Sequence, residues 1–183
     1  MIIIFIGPPF AGKGTQTEIL SNKLKLPVFS MGKLIREAYK EGNPKAVEGF
    51  EKYSMKGLHL PVSLKFDLLK EKMDSAQNGF ILDNFPATKE DLDIFIEYLD
   101  KNRLSVDKVF YINISQEEAN NRITRRGRAD DNINVIMKRR EVQDKDRQPV
   151  IEYFKSKGFL EEINGEKEVE DVHREILNKL LKK

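Results

Sequence analysis

The chain has 183 residues, about one domain's length, and its 32 Lys and Arg against 30 Asp and Glu leave a net charge of only +2. With 39% hydrophobic and 34% charged residues this is the composition of a globular protein with a charged exterior, which sets aside disorder and gives no polybasic tail for nucleic acid or a membrane surface. Cysteine is absent and His59 and His173 are the only histidines, so disulfides, thiolate-metal sites and a cysteine nucleophile are excluded and little remains for zinc.

The opening run Ile2-Ile3-Ile4-Phe5-Ile6 is too short for a signal segment or a membrane span, and we expect a cytoplasmic protein. As a β-branched and aromatic run closed by Gly7-Pro8-Pro9, it suits a strand covered on both faces of a parallel sheet. Ile19, Leu20 and Leu24 then recur at helical spacing until Pro27. Val28-Phe29 forms a short strand candidate, and Leu34, Ile35, Ala38 and Tyr39 begin a helix that ends near Gly42.

Ala46, Val47, Phe50 and Tyr53 predict another helix, and a further one starts at Pro61, a favoured first-turn residue, with Leu64, Leu68 and Leu69 on its apolar side. Phe80-Ile81-Leu82 reads as a buried strand ending at Asp83. Thr88 with Asp91 and Ser115 with Glu118 fit capping boxes ahead of two helices, with the strand Val109 to Ile112 between them. Val135, Ile136, Arg139 and Val142 lead into a long basic helix, Phe159 to Ile163 is the last strand, Asn164-Gly165 is a turn, and Val169 to Leu180 is the closing helix. Strands alternating with helices, without repeat or linker, predict a single α/β domain over 1–183, an open parallel sheet between helical layers.

The loop Gly7 to Thr15 joins a buried strand to a helix start, which is where backbone N–H groups and a helix dipole gather phosphate. Lys13 is placed to reach β- and γ-phosphates and the Thr15 hydroxyl to hold Mg²⁺. The strict phosphate-loop expression wants Ser or Thr directly after Lys, whereas Gly14 intervenes here. A plain glycine turn would not need Lys13 at that register. Asp83, at the end of a second buried strand, is placed to bind Mg²⁺ through water, although a solvated strand end would look the same.

Gly12-Lys13-Gly14-Thr15-Gln16 after a proline-containing loop resembles the phosphate loop of adenylate kinases and related nucleoside monophosphate kinases. Further blocks agree in order: Ser30-Met31-Gly32 with Leu34-Ile35-Arg36, Asn78 to Asp83 with Phe85-Pro86, and Arg126-Gly127-Arg128-Ala129-Asp130-Asp131-Asn132 with Arg139. The Gly-Arg-Ala-Asp-Asp stretch resembles the compact lid of the short-lid branch. The resemblance implies a P-loop three-layer fold, a helical monophosphate-binding segment at about 30–60 and a short lid at about 126–132. It also implies Mg²⁺-dependent transfer of the ATP γ-phosphoryl group to a nucleoside monophosphate, AMP first; we expect a monomer and, from the near-balanced charge, one that binds neither nucleic acid nor membrane.

By the same resemblance Lys13, Arg126, Arg128 and Arg139 are catalytic. ATP would be held by Gly7, Phe10, Ala11, Gly12, Lys13, Gly14, Thr15, Arg122 and Arg126, with Lys167 lying where the family sets a backbone carbonyl near the ATP adenine. The acceptor would meet Met31, Arg36, Leu60, Asn84, Ala87, Asp91, Arg128 and Arg139, and Thr15 and Asp83 would face the metal. Independently of any family, residues 122–147 hold nine basic against five acidic side chains, an asymmetry that suits anions. Ion pairs at i,i+4 on a solvated helix face explain Arg140 equally well.

The acceptor side departs from the family pattern. The arginine after Phe-Pro is Ala87, the glycine before it is Asn84, and the base-reading glutamine is Asp91, which also fits the capping box with Thr88. The usual Thr and Asp near the second strand are Met31 and Lys33, and Lys33 is a candidate for the lost charge. His59 reads as a surface histidine. Phe10 stands where a glycine is common, and would either strain the loop or point outward. Two alternatives stand beside the leading reading: a CMP, UMP or other small-acceptor kinase of this fold, and an ATP-binding regulatory domain without transfer.

Overall fold

The structure, a computed structural model, describes residues 1–126 and 133–181, with side chains throughout except at 124–126 and 133–134. Five parallel strands form one sheet: β1 (Ile2–Ile6), β2 (Val28–Ser30), β3 (Phe80–Asp83), β4 (Lys108–Asn113) and β5 (Leu160–Asn164), in the spatial order β2-β3-β1-β4-β5. Every residue of β1 is buried because it is the central strand, with Ile4 paired to Leu82 of β3 on one side and to Val109 of β4 on the other.

The period-2 geometry of a strand sends alternate residues to opposite faces, and the core divides accordingly. Ile2, Ile4 and Ile6 enter one cluster, with Leu34, Leu69, Phe95 and Phe154 from α2 (Met31–Lys40), α4 (Val62–Ser75), α5 (Lys89–Asn102) and α7 (Ile133–Ser156). Ile3 and Phe5 enter the other, with Leu20, Ala119 and Ile176 from α1 (Lys13–Leu24), α6 (Gln116–Arg126) and α8 (Val169–Leu181). The expected open parallel sheet between two helical layers is therefore the observed architecture. A short helix α3 (Pro44–Lys52) follows α2 and packs against it, and a 3₁₀ turn at Ser54–Lys56 packs against α3 and α7.

Two boundaries differ from the sequence expectation. The second helix begins at Met31, three residues before its first predicted apolar residue, and Pro61 is the residue before α4 rather than its first helical one. Thr88 caps α5 by accepting from the Asp91 N–H at 3.2 Å, and Ser115 likewise accepts from the Glu118 N–H at 3.2 Å. Chain order passes from β1 outward to β2, back to β3 and then across β1 to β4, so the carboxyl ends of β1 and β3 open at the sheet's switch point, where α/β proteins place ligands. Among the described residues no helix is long and apolar enough to cross a membrane.

Candidate active site

A cleft of about 1230 Å³ lies over those strand ends. Its first end is the loop between β1 and α1. Gly7 has φ 150°, and a Cβ there would fall 2.1 Å from the Ile112 carbonyl oxygen of β4, so only glycine lets the strand turn this close to its neighbour. Gly12, at φ 88°, precedes α1 without any side-chain cap, which leaves the first N–H groups of a 12-residue helix directed at the cleft. The Lys13 ammonium folds back over the loop and donates to the Gly7 and Pro8 carbonyls, both at 2.9 Å. Uncapped amides and a central ammonium make a cradle for a polyanion.

Phe10 resolves the alternative left open by the sequence: it occupies the left-handed region at φ 66°, and its ring packs partly against the second core cluster. Arg122 of α6 braces this loop from behind. It donates to the Phe10 carbonyl at 3.2 Å and the Gly165 carbonyl at 2.8 Å, and pairs with Glu118 at 2.5 Å. Lys167, just beyond that turn, lines the same end and pairs with Glu175 at 2.8 Å.

Between the two ends stands Asp83. Its Oδ2 accepts from the Ser30 hydroxyl at 2.8 Å, whereas its Oδ1 is buried without a hydrogen-bond partner among the described residues. Beyond it, β3 runs into Asn84, at φ 62°, and the cis peptide Phe85-Pro86, which bring Asn84 and Ala87 to the cleft wall. Met31, Arg36 and Leu60 face them, and Arg139 of α7 reaches across to donate to the Ser54 carbonyl at 3.0 Å.

A family model described as adenylate kinase matches residues 5–159. The chain is 34% identical to the adenylate kinase of Leptospira biflexa over 97% of its own length and 98% of that protein's. It is 35% identical to adenylate kinase 1 of a Nostoc species, over 95% of each chain, and 34% identical to the adenylate kinase of Mycolicibacterium smegmatis, over 98% and 99%. The chain belongs to the adenylate kinase family. It is an ATP-dependent nucleoside monophosphate kinase, a transferase built on the P-loop α/β fold.

The structure gathers most of the residues that the adenylate kinase pattern picks out. Phe10, Ala11, Gly12, Lys13, Gly14, Thr15, Arg122 and Lys167 share one end of the cleft, and Met31, Arg36, Leu60, Asn84, Ala87 and Arg139 the other. Gly7 lies behind the loop and contributes its carbonyl to Lys13 rather than a surface to the cleft. The Arg126 side chain, Arg128 and the lid at 127–132 fall outside the described residues. Arg140 makes the expected i,i+4 pair with Asp144, 3.3 Å apart, but it is not on a solvated face: its side chain is 13% exposed and donates to the Ile114 carbonyl at 2.7 Å and the Ser115 carbonyl at 3.3 Å.

Two expectations are corrected. Asp91 does not line the cleft: it is 0% exposed, its carboxylate takes the Ala87 N–H at 3.1 Å, and Lys65 of α4 covers it at 2.5 Å. His59 is no surface histidine, since its side chain is 15% exposed and lines the cleft, with Nε2 3.5 Å from Asp146 of α7. Burial, reinforced by the nearby Lys65 charge, holds the His59 imidazole below the ordinary value of 6.5, although Asp146 opposes the shift. Lys65 itself was missed because Leu64 and Leu68 marked the apolar side. The actual buried positions are Leu64, Lys65, Leu69 and Met73, so a lysine at 65 shares the 65, 69, 73 stripe.

Proposed function

We propose that the protein transfers the γ-phosphoryl group of Mg-ATP to AMP, giving two ADP, with ATP at the loop end of the cleft and AMP at the end walled by Arg36, Leu60 and Ala87. The observation that carries this reading is the sharing of one cleft by an uncapped, lysine-bearing helix start and a separate arginine pair, Arg36 and Arg139. Two phosphate-seeking ends facing each other suit transfer between two phosphates.

In this arrangement Lys13 leaves the Gly7 and Pro8 carbonyls and follows the γ-phosphoryl group, whose charge spreads over its oxygens as the old bond loosens. The acceptor is already a phosphate oxyanion, so no general base is required. Arg139 turns from Ser54 towards the acceptor, and Arg126 and Arg128 approach from the lid as the family resemblance implies. A lid closing there, as the same resemblance implies, would exclude water that otherwise competes as acceptor.

The donor set suits magnesium. Among the described residues Asp83 Oδ1 is buried without a hydrogen-bond partner, and Thr15 lines the same cleft, so these two oxygen-bearing side chains would hold the ion, Asp83 through water. Bound with ATP there, Mg²⁺ would supply positive charge to offset that on the phosphate oxygens. We read the enzyme as a cytoplasmic monomer, as the sequence leads us to expect.

A coupled ADP-release assay with Mg-ATP tests the proposal. AMP should be consumed with two ADP formed per turnover. Tight ATP binding without turnover of any of AMP, CMP, UMP or GMP would establish the regulatory-domain alternative instead.

A further inference from the structure

The acceptor end of the cleft carries a polar group that neither composition nor motif picks out. The Lys65 side chain is 4% exposed, and its Nζ straddles the Asp91 carboxylate at 2.5 and 2.6 Å. Asp91 is held from behind by the Ala87 N–H, and its own N–H is capped by Thr88. Lys65 lines the cleft and Asp91 does not. Among the described residues that carboxylate is the one hydrogen-bond partner of Lys65. An ammonium has three donors and no acceptor, and of the two Asp91 oxygens only Oδ2 takes a hydrogen bond from it, so N–H capacity remains for whatever enters.

The surrounding wall says what shape enters. Ile35, Phe50, Leu58 and Leu60 line this end, a set of apolar surfaces suited to the faces of a planar base, while Lys65 and His59 supply polar atoms for its edge. A donor-only ammonium complements a carbonyl oxygen and is mismatched against an amino group. Adenine carries an amino group at C6, whereas hypoxanthine and guanine carry a carbonyl there.

We propose that Lys65 is a specificity-determining residue of the acceptor site, and that by donating to O6 it extends the acceptor range to 6-oxopurine nucleoside monophosphates beside AMP, whose C6 amino group accepts no hydrogen bond from it. Asp91 is the positioning residue that aims it. The proposal rests on the reading that this end of the cleft holds the acceptor base. The chemistry is the same transfer: the γ-phosphorus bond to the ADP oxygen breaks, a bond to an acceptor phosphate oxygen forms, and IMP leaves as IDP beside ADP.

IMP is the probe, because it differs from AMP only at C6 and the N1 proton. With Mg-ATP, wild-type enzyme should phosphorylate IMP with kcat/KM within about tenfold of AMP. A charge-assisted hydrogen bond corresponds to roughly a 10–150-fold effect, so Lys65→Met should lower the IMP/AMP ratio of kcat/KM by about that factor. The ratio measured on one sample cancels any loss of folded protein. Lys65→Met/Asp91→Asn repeats the measurement without leaving a buried carboxylate unpaired. Wild-type transfer to AMP but not IMP overturns the proposal, as does a ratio unchanged within about threefold in both variants. Transfer to neither nucleotide instead overturns the acceptor-site reading on which it rests.

Discussion

Arg122 ties two separate loops together, donating to Gly165 at 2.8 Å from one guanidinium nitrogen while another reaches the Phe10 carbonyl at 3.2 Å. The phosphate loop and the turn after β5 thereby form one wall at the ATP end. Removing the guanidinium frees both carbonyls and the spacing between the loops. Each charge-assisted bond contributes about 1.5–3 kcal/mol, so Arg122→Ala should raise KM for ATP by roughly tenfold or more while KM for AMP stays within about twofold. Steady-state kinetics with each nucleotide varied in turn checks this, and equal increases for both would refute a donor-side role.

Lys13 donates to the Gly7 and Pro8 carbonyls, from which a bound nucleotide would draw it, so its charge can act where the transferring phosphoryl group becomes more anionic. Lys13→Met should leave the fold intact by circular dichroism and lower kcat by far more than tenfold. A smaller loss would remove Lys13 from the mechanism.

Phe10 allows strain and packing to be measured apart. A side chain at φ 66° costs about 1–2 kcal/mol relative to glycine, while the ring gains contact with the second core cluster. Phe10→Ala loses the ring and keeps the strained backbone, whereas Phe10→Gly loses both. In urea unfolding the glycine variant should therefore be the more stable of the two by about 1 kcal/mol. If alanine equals glycine, the left-handed conformation carries no cost.

The fold was legible because its signals were local. β1 is a continuous apolar run since both its faces are covered, and the alternating strand and helix order left few topologies. The ATP end was legible for the same reason: Gly12, Lys13 and Thr15 are contiguous. The acceptor end is assembled from α2, the turn before α4, α4 itself, the loop after β3 and α7, so its geometry depends on pairings separated by tens of residues. Lys65 and Asp91 lie 26 positions apart, and a capping box at Thr88 concealed what the Asp91 carboxylate does. His59 looked exposed because its burial comes from α7, which no local pattern announces.

Acid should weaken the protein through its histidines. Burial holds both His59 and His173 below the ordinary histidine value of 6.5, so the fold favours their neutral forms. In the unfolded chain they take up protons first, and stability rises with pH wherever the unfolded state binds more protons. Their contribution is complete above about 6.5 and is lost as pH falls from there through the lower folded values. The melting temperature should fall between pH 7 and pH 5, and His59→Gln should flatten that slope. An unchanged slope would mean that His59 is solvated in solution.

The acceptor phosphate offers the sharpest test of the site. Ala87 is 4% exposed on the cleft wall, where the family resemblance expects an arginine, and Arg36 and Arg139 are the guanidinium groups the described cleft retains at that end. Lys33 is a weak substitute: its side chain is 72% exposed and lies 3.8 Å from Glu37 on its own helix. A paired guanidinium contact to phosphate contributes about 1.5–3 kcal/mol, equivalent to roughly 10–150-fold in binding. Ala87→Arg should therefore lower KM for AMP by a factor in that range with KM for ATP nearly constant, and Lys33→Ala should change KM for AMP by less than about twofold. The double variant decides between direct and shared contact. If Lys33 reaches the same phosphate, its removal will enlarge the gain from Ala87→Arg; if it stays with Glu37, the two effects will add within about 0.5 kcal/mol. No gain for AMP in either background would mean that position 87 faces something other than the acceptor phosphate.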